Sequence, residues 1–171
     1  MSTEPLLKRK TQEDNHSPIP NYVIHLIPIT GGLISGLLRA KDASLWYKSL
    51  NRAPWSPPSW VLGPVWTGLY LSMGVAYHLV ATSPKLSKES RPVALGIFWA
   101  QLLVNFLWSP VFFGLNSPKS AFGLTIVLWG LVGVNTEIFK TYSKTAGRVM
   151  CVYWLWVTYV VSLNAYLVLS N

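Results

Sequence analysis

Charge is missing from this chain in long blocks, and that absence constrains the fold more than anything else in it. Asp, Glu, Lys and Arg do not occur in Asn15–Leu38, Ala53–Pro84, Pro92–Pro118, Ser120–Thr136 or Val149–Asn171. A charge at the centre of a bilayer costs at least ~2.5–3.5 kcal/mol, and a spanning helix needs ~20 mostly apolar residues. Four of the blocks reach that length outright. Ser120–Thr136 reaches it if Glu137 sits near an interface while Ile138 and Phe139 extend the apolar surface. The expected fold is an all-α membrane protein, a five-transmembrane-helix bundle, with helices near 22–38, 61–81, 92–113, 118–139 and 146–169. A β-barrel would show ~10-residue segments of alternating hydrophobicity, and these blocks are longer and do not alternate.

Composition agrees. Of 171 residues 51% are hydrophobic and 12% charged, about half the ~25% charge of a soluble domain. A disordered chain or a nucleic-acid-binding domain is thereby excluded, and the partner is the lipid bilayer. The net charge of +8 suits anionic headgroups, because the basic residues stand in short clusters between apolar runs. Residues 1–21 are polar, mix Lys8, Arg9 and Lys10 with Glu4, Glu13 and Asp14, and read as an uncleaved flexible tail. They lack the apolar core of a secretory signal. Nine basic residues fall on the N-terminal side and five opposite, among them Arg39, Lys41 and Arg52; the positive-inside rule would place the N-terminus in the cytoplasm. The lone Cys151 makes no internal disulfide.

The segment joining the first two expected helices reads Ala53-Pro54-Trp55-Ser56-Pro57-Pro58-Ser59-Trp60. Its prolines forbid a continuous helix and favour a stiff extended path. Two readings stand: an interfacial anchor through Trp55 and Trp60, or a rigid lid over one end of the bundle, formed by Pro54, Trp55, Pro57, Pro58 and Trp60. In the second helix Trp66, Tyr70, Met73 and Tyr77 share one face, as do Gln101, Asn105, Trp108 and Phe112 in the third. Amides inside a span must face other helices or a cavity. Trp156, Val160 and Asn164 align on the last helix. Aromatic walls with few polar groups suit a flat, greasy ligand, although packing alone would use the same spacing. Gly32/Gly36 and Gly96/Ala100 are small-residue pairs of the kind that support helix pairing or a homodimer. His25, His78 and Glu137 lie on different helices without metal-ligand spacing, so no metal site, required cofactor or catalytic constellation is expected.

The run Trp46-Tyr47…Ala53-Pro54-Trp55-Ser56-Pro57-Pro58-Ser59-Trp60-Val61-Leu62-Gly63-Pro64-Val65-Trp66-Thr67…Leu69-Tyr70 resembles the first-loop and second-helix signature of the TspO/translocator family. This family is also called the tryptophan-rich sensory protein or peripheral benzodiazepine receptor family. Gln101-Leu102…Asn105-Phe106-Leu107-Trp108-Ser109-Pro110-Val111-Phe112-Phe113-Gly114 resembles its third-helix motif, and Ala146-Gly147-Arg148…Tyr153-Trp154-Leu155-Trp156…Leu163-Asn164 its fifth. The likeness runs from about Gly31 to the end of the chain.

The resemblance implies a five-helix bundle, usually dimeric, whose ligand cavity is roofed by the first loop. It implies binding of tetrapyrroles such as protoporphyrin and haem, of sterols, and of benzodiazepine-like compounds. Trp66 and Trp156 match the tryptophans implicated in light- and oxygen-dependent porphyrin breakdown by some bacterial members; Asn105 matches the pocket carboxamide, and Leu62, Val160 and Leu163 fall at pocket positions. Three departures from the family pattern stand out: the first removes a helix kink, and the other two favour porphyrin over steroid traffic. Val152-Tyr153 replaces the usual Pro-Tyr, no basic residue follows Tyr166, and the text around Leu124 is apolar where animal members carry an aspartate.

The expected function is a membrane receptor or carrier for protoporphyrin or haem, as ligand and not cofactor, with a role in porphyrin transport or homeostasis. Leu62, Trp66, Tyr70, Gln101, Asn105, Trp108, Trp156, Val160, Leu163 and Asn164 are the expected lining, and basic loop residues would attract the propionates. The alternatives are a porphyrin-oxidising enzyme acting through Trp66 and Trp156, and a sterol- or partner-binding scaffold. In a eukaryote the expected membrane is the mitochondrial outer membrane, with the endoplasmic reticulum as the alternative.

Overall fold

The computed structural model describes residues 46, 47 and 49–171. The expected tail over 1–21, the expected helix near 22–38 with its Gly32/Gly36 pair, and the loop cations Arg39 and Lys41 lie outside them. All regular structure among the described residues is helical: α1 (Ser59–Ala81), α2 (Arg91–Ser109) continued by a π-helical turn (Pro110–Gly114), α3 (Pro118–Tyr142) and α4 (Lys144–Ser170).

The boundaries follow from local chemistry. Pro58 precedes α1, where a missing N–H is harmless. Pro92 and Pro118 occupy the first turns of α2 and α3, and the Ser117 hydroxyl caps α3 by accepting from the Ser120 N–H at 3.3 Å. Pro110 has no N–H to donate, and there the helix widens into the π turn before Asn116 (φ 48°) ends it in the left-handed region that Asn tolerates. A single extended residue, Ser143, separates α3 from α4. Its N–H closes α3 on the Phe139 carbonyl at 2.9 Å, and its hydroxyl opens α4 by accepting from the Ala146 N–H at 3.3 Å. Both helices therefore run a turn closer together than the expected 139 and 146 boundaries. Gly147 makes that hairpin possible: a Cβ there would lie 2.8 Å from the Lys140 Cα.

Three of the four helices are long and apolar enough to cross a membrane: Arg91–Gly114, Pro118–Tyr142 and Lys144–Ser170. α1 carries no formal charge over 23 residues, but its Trp, Tyr, Thr and Pro residues dilute its hydropathy. The packed interior joins all four helices through Met73, Tyr77, Phe98, Leu102, Val132, Phe139, Met150 and Tyr153. Phe98 stacks on Phe139 with centroids 5.8 Å apart and meets Tyr77 at 4.9 Å. Outside, Leu71, Val75, Leu103, Val127, Val152 and Leu155 are exposed, a surface costly in water and at home among acyl chains. Gly96 and Ala100 are exposed as well, so this small-residue pair packs against no other described helix.

Candidate functional site

Three helices meet at one buried carboxamide. Asn105 of α2 accepts from the Tyr70 hydroxyl of α1 at 2.6 Å and donates through Nδ2 to the Tyr153 hydroxyl of α4, also at 2.6 Å. Tyr70 and Asn105 are buried and Tyr153 has no exposed surface. A polar group at this depth would cost several kcal/mol if left alone; here two phenols satisfy it and fix its rotamer. Tyr70 falls one turn after Trp66, and Tyr153 one turn before Trp156 and Val157, so the spine holds both tryptophans at its rim.

Trp66 and Trp156 meet edge to face, with centroids 6.4 Å apart and planes at 89°. Trp66 also lies 5.7 Å from the Tyr70 ring and 6.5 Å from Tyr153, and Trp156 lies 5.3 Å from Tyr159. Both indoles are half-buried, as are Leu62, one turn earlier on α1, and Val160 and Leu163 on α4. The Trp156 Nε1 is buried without a hydrogen-bond partner among the described residues, as is Asn164 Oδ1, whose Nδ2 donates to the Val160 carbonyl at 3.0 Å. The wall thus presents aromatic faces and branched aliphatic side chains, while the indole N–H and the Asn164 amide oxygen are enclosed behind it. Surfaces of this kind make contacts through shape and stacking.

The proline-rich segment lies along the C-terminal half of α4. The Trp55 carbonyl accepts from the Tyr159 hydroxyl at 2.8 Å, its indole N–H donates to Ser162 at 3.4 Å, and its ring packs edge-on to Tyr166 at 5.3 Å. Asn51 and Asn171 exchange bonds at 2.9 and 3.2 Å. Trp55 is therefore docked on the bundle, whereas Trp60 is 76% exposed. Pro54 and Pro58 are exposed and Pro57 is half-buried. Between this segment and the ends of α1 and α4 lies an open cleft of about 730 Å³, lined by Arg52, Ser56, Pro57, Trp60, Tyr166 and others.

Two expected lining residues point elsewhere. Trp108 donates to Thr125 of α3 at 2.9 Å and stacks on Phe112 at 4.9 Å, in a second aromatic cluster with Trp46, Tyr47 and Phe113. Gln101 is fully buried one turn deeper than Asn105, with Nε2 3.7 Å from the Met73 sulfur. Trp66, Tyr70, Asn105 and Trp156 do come together. Tyr153 completes the spine, and its register one turn before Trp156 is the sequence signal that marks it. Asn135 of α3 is fully buried with neither amide atom partnered among the described residues, and no motif in the sequence marks it.

Comparison with known proteins gives one consistent answer. The family model described as TspO/MBR family matches residues 24–169. The human translocator protein is 31% identical over 146 residues, covering 85% of this chain and 86% of its own length. The tryptophan-rich sensory protein of Cereibacter sphaeroides is 36% identical over 119 residues, 70% and 72% of the two chains. The translocator protein homolog of Schizosaccharomyces pombe is 36% identical over 120 residues, 69% and 73%.

Proposed function

Because the chain belongs to the TspO/MBR family and is an integral membrane protein, we propose that it is a receptor or carrier for tetrapyrroles, binding protoporphyrin or haem against the Trp66–Trp156 wall. The observation that carries this reading is the edge-to-face indole pair held at the rim of a hydrogen-bonded Tyr70–Asn105–Tyr153 spine. A flat macrocycle gains most from aromatic surfaces that are already fixed, since little side-chain freedom is then lost on binding. Arg52, at the cleft under the proline-rich segment, supplies a cation for the propionates. The role that follows is porphyrin transport or homeostasis. The family resemblance makes the mitochondrial outer membrane the proposed location in a eukaryote, with the endoplasmic reticulum as the alternative.

The test is a titration of purified protein with protoporphyrin, followed by the porphyrin's own absorbance so that loss of tryptophan does not remove the signal. Each aromatic contact contributes about 0.5–1.5 kcal/mol beyond area, so Trp66→Ala with Trp156→Ala should weaken binding about tenfold or more. Undiminished binding by the double variant rejects the wall as the site. Stoichiometric sterol binding by a sample that ignores porphyrin would favour the scaffold reading.

The contiguity of Trp66, Trp156 and Tyr159 favours one second reading, light- and oxygen-dependent oxidation of the bound porphyrin. Equal rates of absorbance loss under light for wild type and double variant would remove it.

A further inference from the structure

The end of the bundle remote from the proline-rich segment is formed by two turns, one joining α1 to α2 and the other α3 to α4. They are neighbours: the Ser83 hydroxyl of the first donates to the Tyr142 carbonyl of the second at 3.0 Å. These turns and the helix ends beside them carry Lys85, Lys88, Arg91, Lys140, Lys144 and Arg148, all exposed except the half-buried Arg91. Two acids share the region. Glu137 is bonded to Lys140 at 3.3 Å. Glu89 is held below the usual carboxylate range by its own backbone N–H and by the Ser87 hydroxyl. None of the other five cations makes an ion pair among the described residues.

Their placement makes the excess self-repelling. Arg91 is the first residue of α2 and Lys144 the first of α4, and neither helix has an acid in its first turn. A helix N-terminus disfavours a cation, because the unbonded N–H groups already present positive partial charge. The C-terminal ends of α1 and α3 lie at the same end of the molecule and offset those two dipoles, so the positive excess there belongs to the side chains, and an external anion relieves it.

The lengths say which anion is at hand. α3 has 25 residues and α4 has 27, or ~37 and ~40 Å at ~1.5 Å per residue, against a ~30 Å hydrocarbon layer. Their shared end therefore reaches into the headgroup layer. We propose that this end is a binding surface for anionic phospholipid headgroups, gripped by Lys85, Lys88, Arg91, Lys144 and Arg148. The surface is independent of the tetrapyrrole reading, since it shares no residue with the aromatic wall.

The experiment uses the full chain in a neutral detergent, titrated with phosphatidylglycerol and read by native mass spectrometry and by thermal unfolding. Phosphatidylcholine is the neutral comparison and inorganic phosphate the free anion. Wild type should retain phosphatidylglycerol preferentially and unfold at higher temperature with it. The gain should fade as salt shortens the screening length from ~10 Å at 0.1 M to ~3 Å at 1 M. Each basic residue near an anionic surface contributes about a fivefold factor in affinity, so Lys144→Gln should weaken retention about fivefold. The combination Lys85→Gln, Lys88→Gln, Lys144→Gln and Arg148→Gln should abolish the preference. All four side chains are exposed, so the variant keeps its packing, and its unfolding in phosphatidylcholine alone should match wild type. Lys119→Gln, at the opposite end, should leave retention unchanged. Equal retention of the two lipids by wild type, an equal loss in Lys119→Gln, or full stabilisation by inorganic phosphate would each overturn the proposal.

Discussion

Asn105 can be tested for what its two hydrogen bonds contribute, apart from its volume. Replacing it with Ala removes the acceptor of the Tyr70 hydroxyl and the donor to the Tyr153 hydroxyl, both at 2.6 Å. An interhelical hydrogen bond in lipid contributes ~0.6 kcal/mol on average and up to ~1.7, while a buried polar group stripped of its partner costs ~1–3 kcal/mol. With Tyr153 fully enclosed and Tyr70 nearly so, the phenols have no water to turn to. The expected loss is about 2–4 kcal/mol, or roughly 5–15 °C at ~2–4 °C per kcal/mol for a protein of this size. Tyr70→Phe and Tyr153→Phe should each cost about 1 kcal/mol. The discriminating sample is the triple variant: once the hydroxyls are gone, Asn105→Ala has nothing left to orphan. Its destabilisation should fall short of the sum of the three single changes by ~1 kcal/mol or more, read by thermal unfolding in one fixed detergent. Additivity within ~0.5 kcal/mol would show that the three side chains are not coupled and would refute the spine.

Three glycines on the α3–α4 hairpin should behave differently when changed to Ala, although Ala favours a helix by ~1 kcal/mol at each. Gly130 has open space and should gain stability; at Gly133 the added carbon meets the Trp154 indole at 3.1 Å, which must give while keeping its bond to the Trp129 carbonyl, so the helix gain is offset and the change should be near neutral; at Gly147 it meets Lys140 backbone at 2.8 Å and should lose about 1–2 kcal/mol. Equal unfolding temperatures for all three would contradict that packing. Asn135→Leu should raise the unfolding temperature, because it removes a fully buried carboxamide whose two amide atoms find no partner among the described residues, relieving ~1–3 kcal/mol; a fall would mean that the amide is satisfied. Tyr159→Phe deletes the bond that holds the Trp55 carbonyl and, at ~1 kcal/mol, should speed limited proteolysis of residues 50–58 about fivefold. An unchanged cleavage rate would show that this bond does not retain the segment.

Helical spacing made faces legible but not the neighbours those faces meet. Tyr70, Met73 and Tyr77 were expected on one side of their helix and are all buried, with Trp66 at their margin. Gln101, Asn105 and Phe112 share a buried face in the same way, yet this face serves three partners in succession: Met73 of α1 for Gln101, the Tyr70–Tyr153 pair for Asn105, and Thr125 of α3 for Trp108. Crossing helices diverge along their length, so residues one turn apart can contact different elements. No single-chain periodicity encodes that divergence. Tyr153 escaped notice for a related reason. It sits in a run, Tyr153-Trp154-Leu155-Trp156, that is apolar or aromatic all round, as a lipid-embedded helix is allowed to be, so no polar face marks its inward side. Asn135 escaped because Asn135-Thr136-Glu137 reads as the approach to a helix end, whereas α3 continues to Tyr142. What distinguishes an inward phenol from an outward one in lipid is therefore its hydrogen-bond partner rather than its hydrophobic surroundings. The carboxamide of Asn105 was the conspicuous half of that pairing; the tyrosines became functional candidates only when the helices were seen to bring them to it.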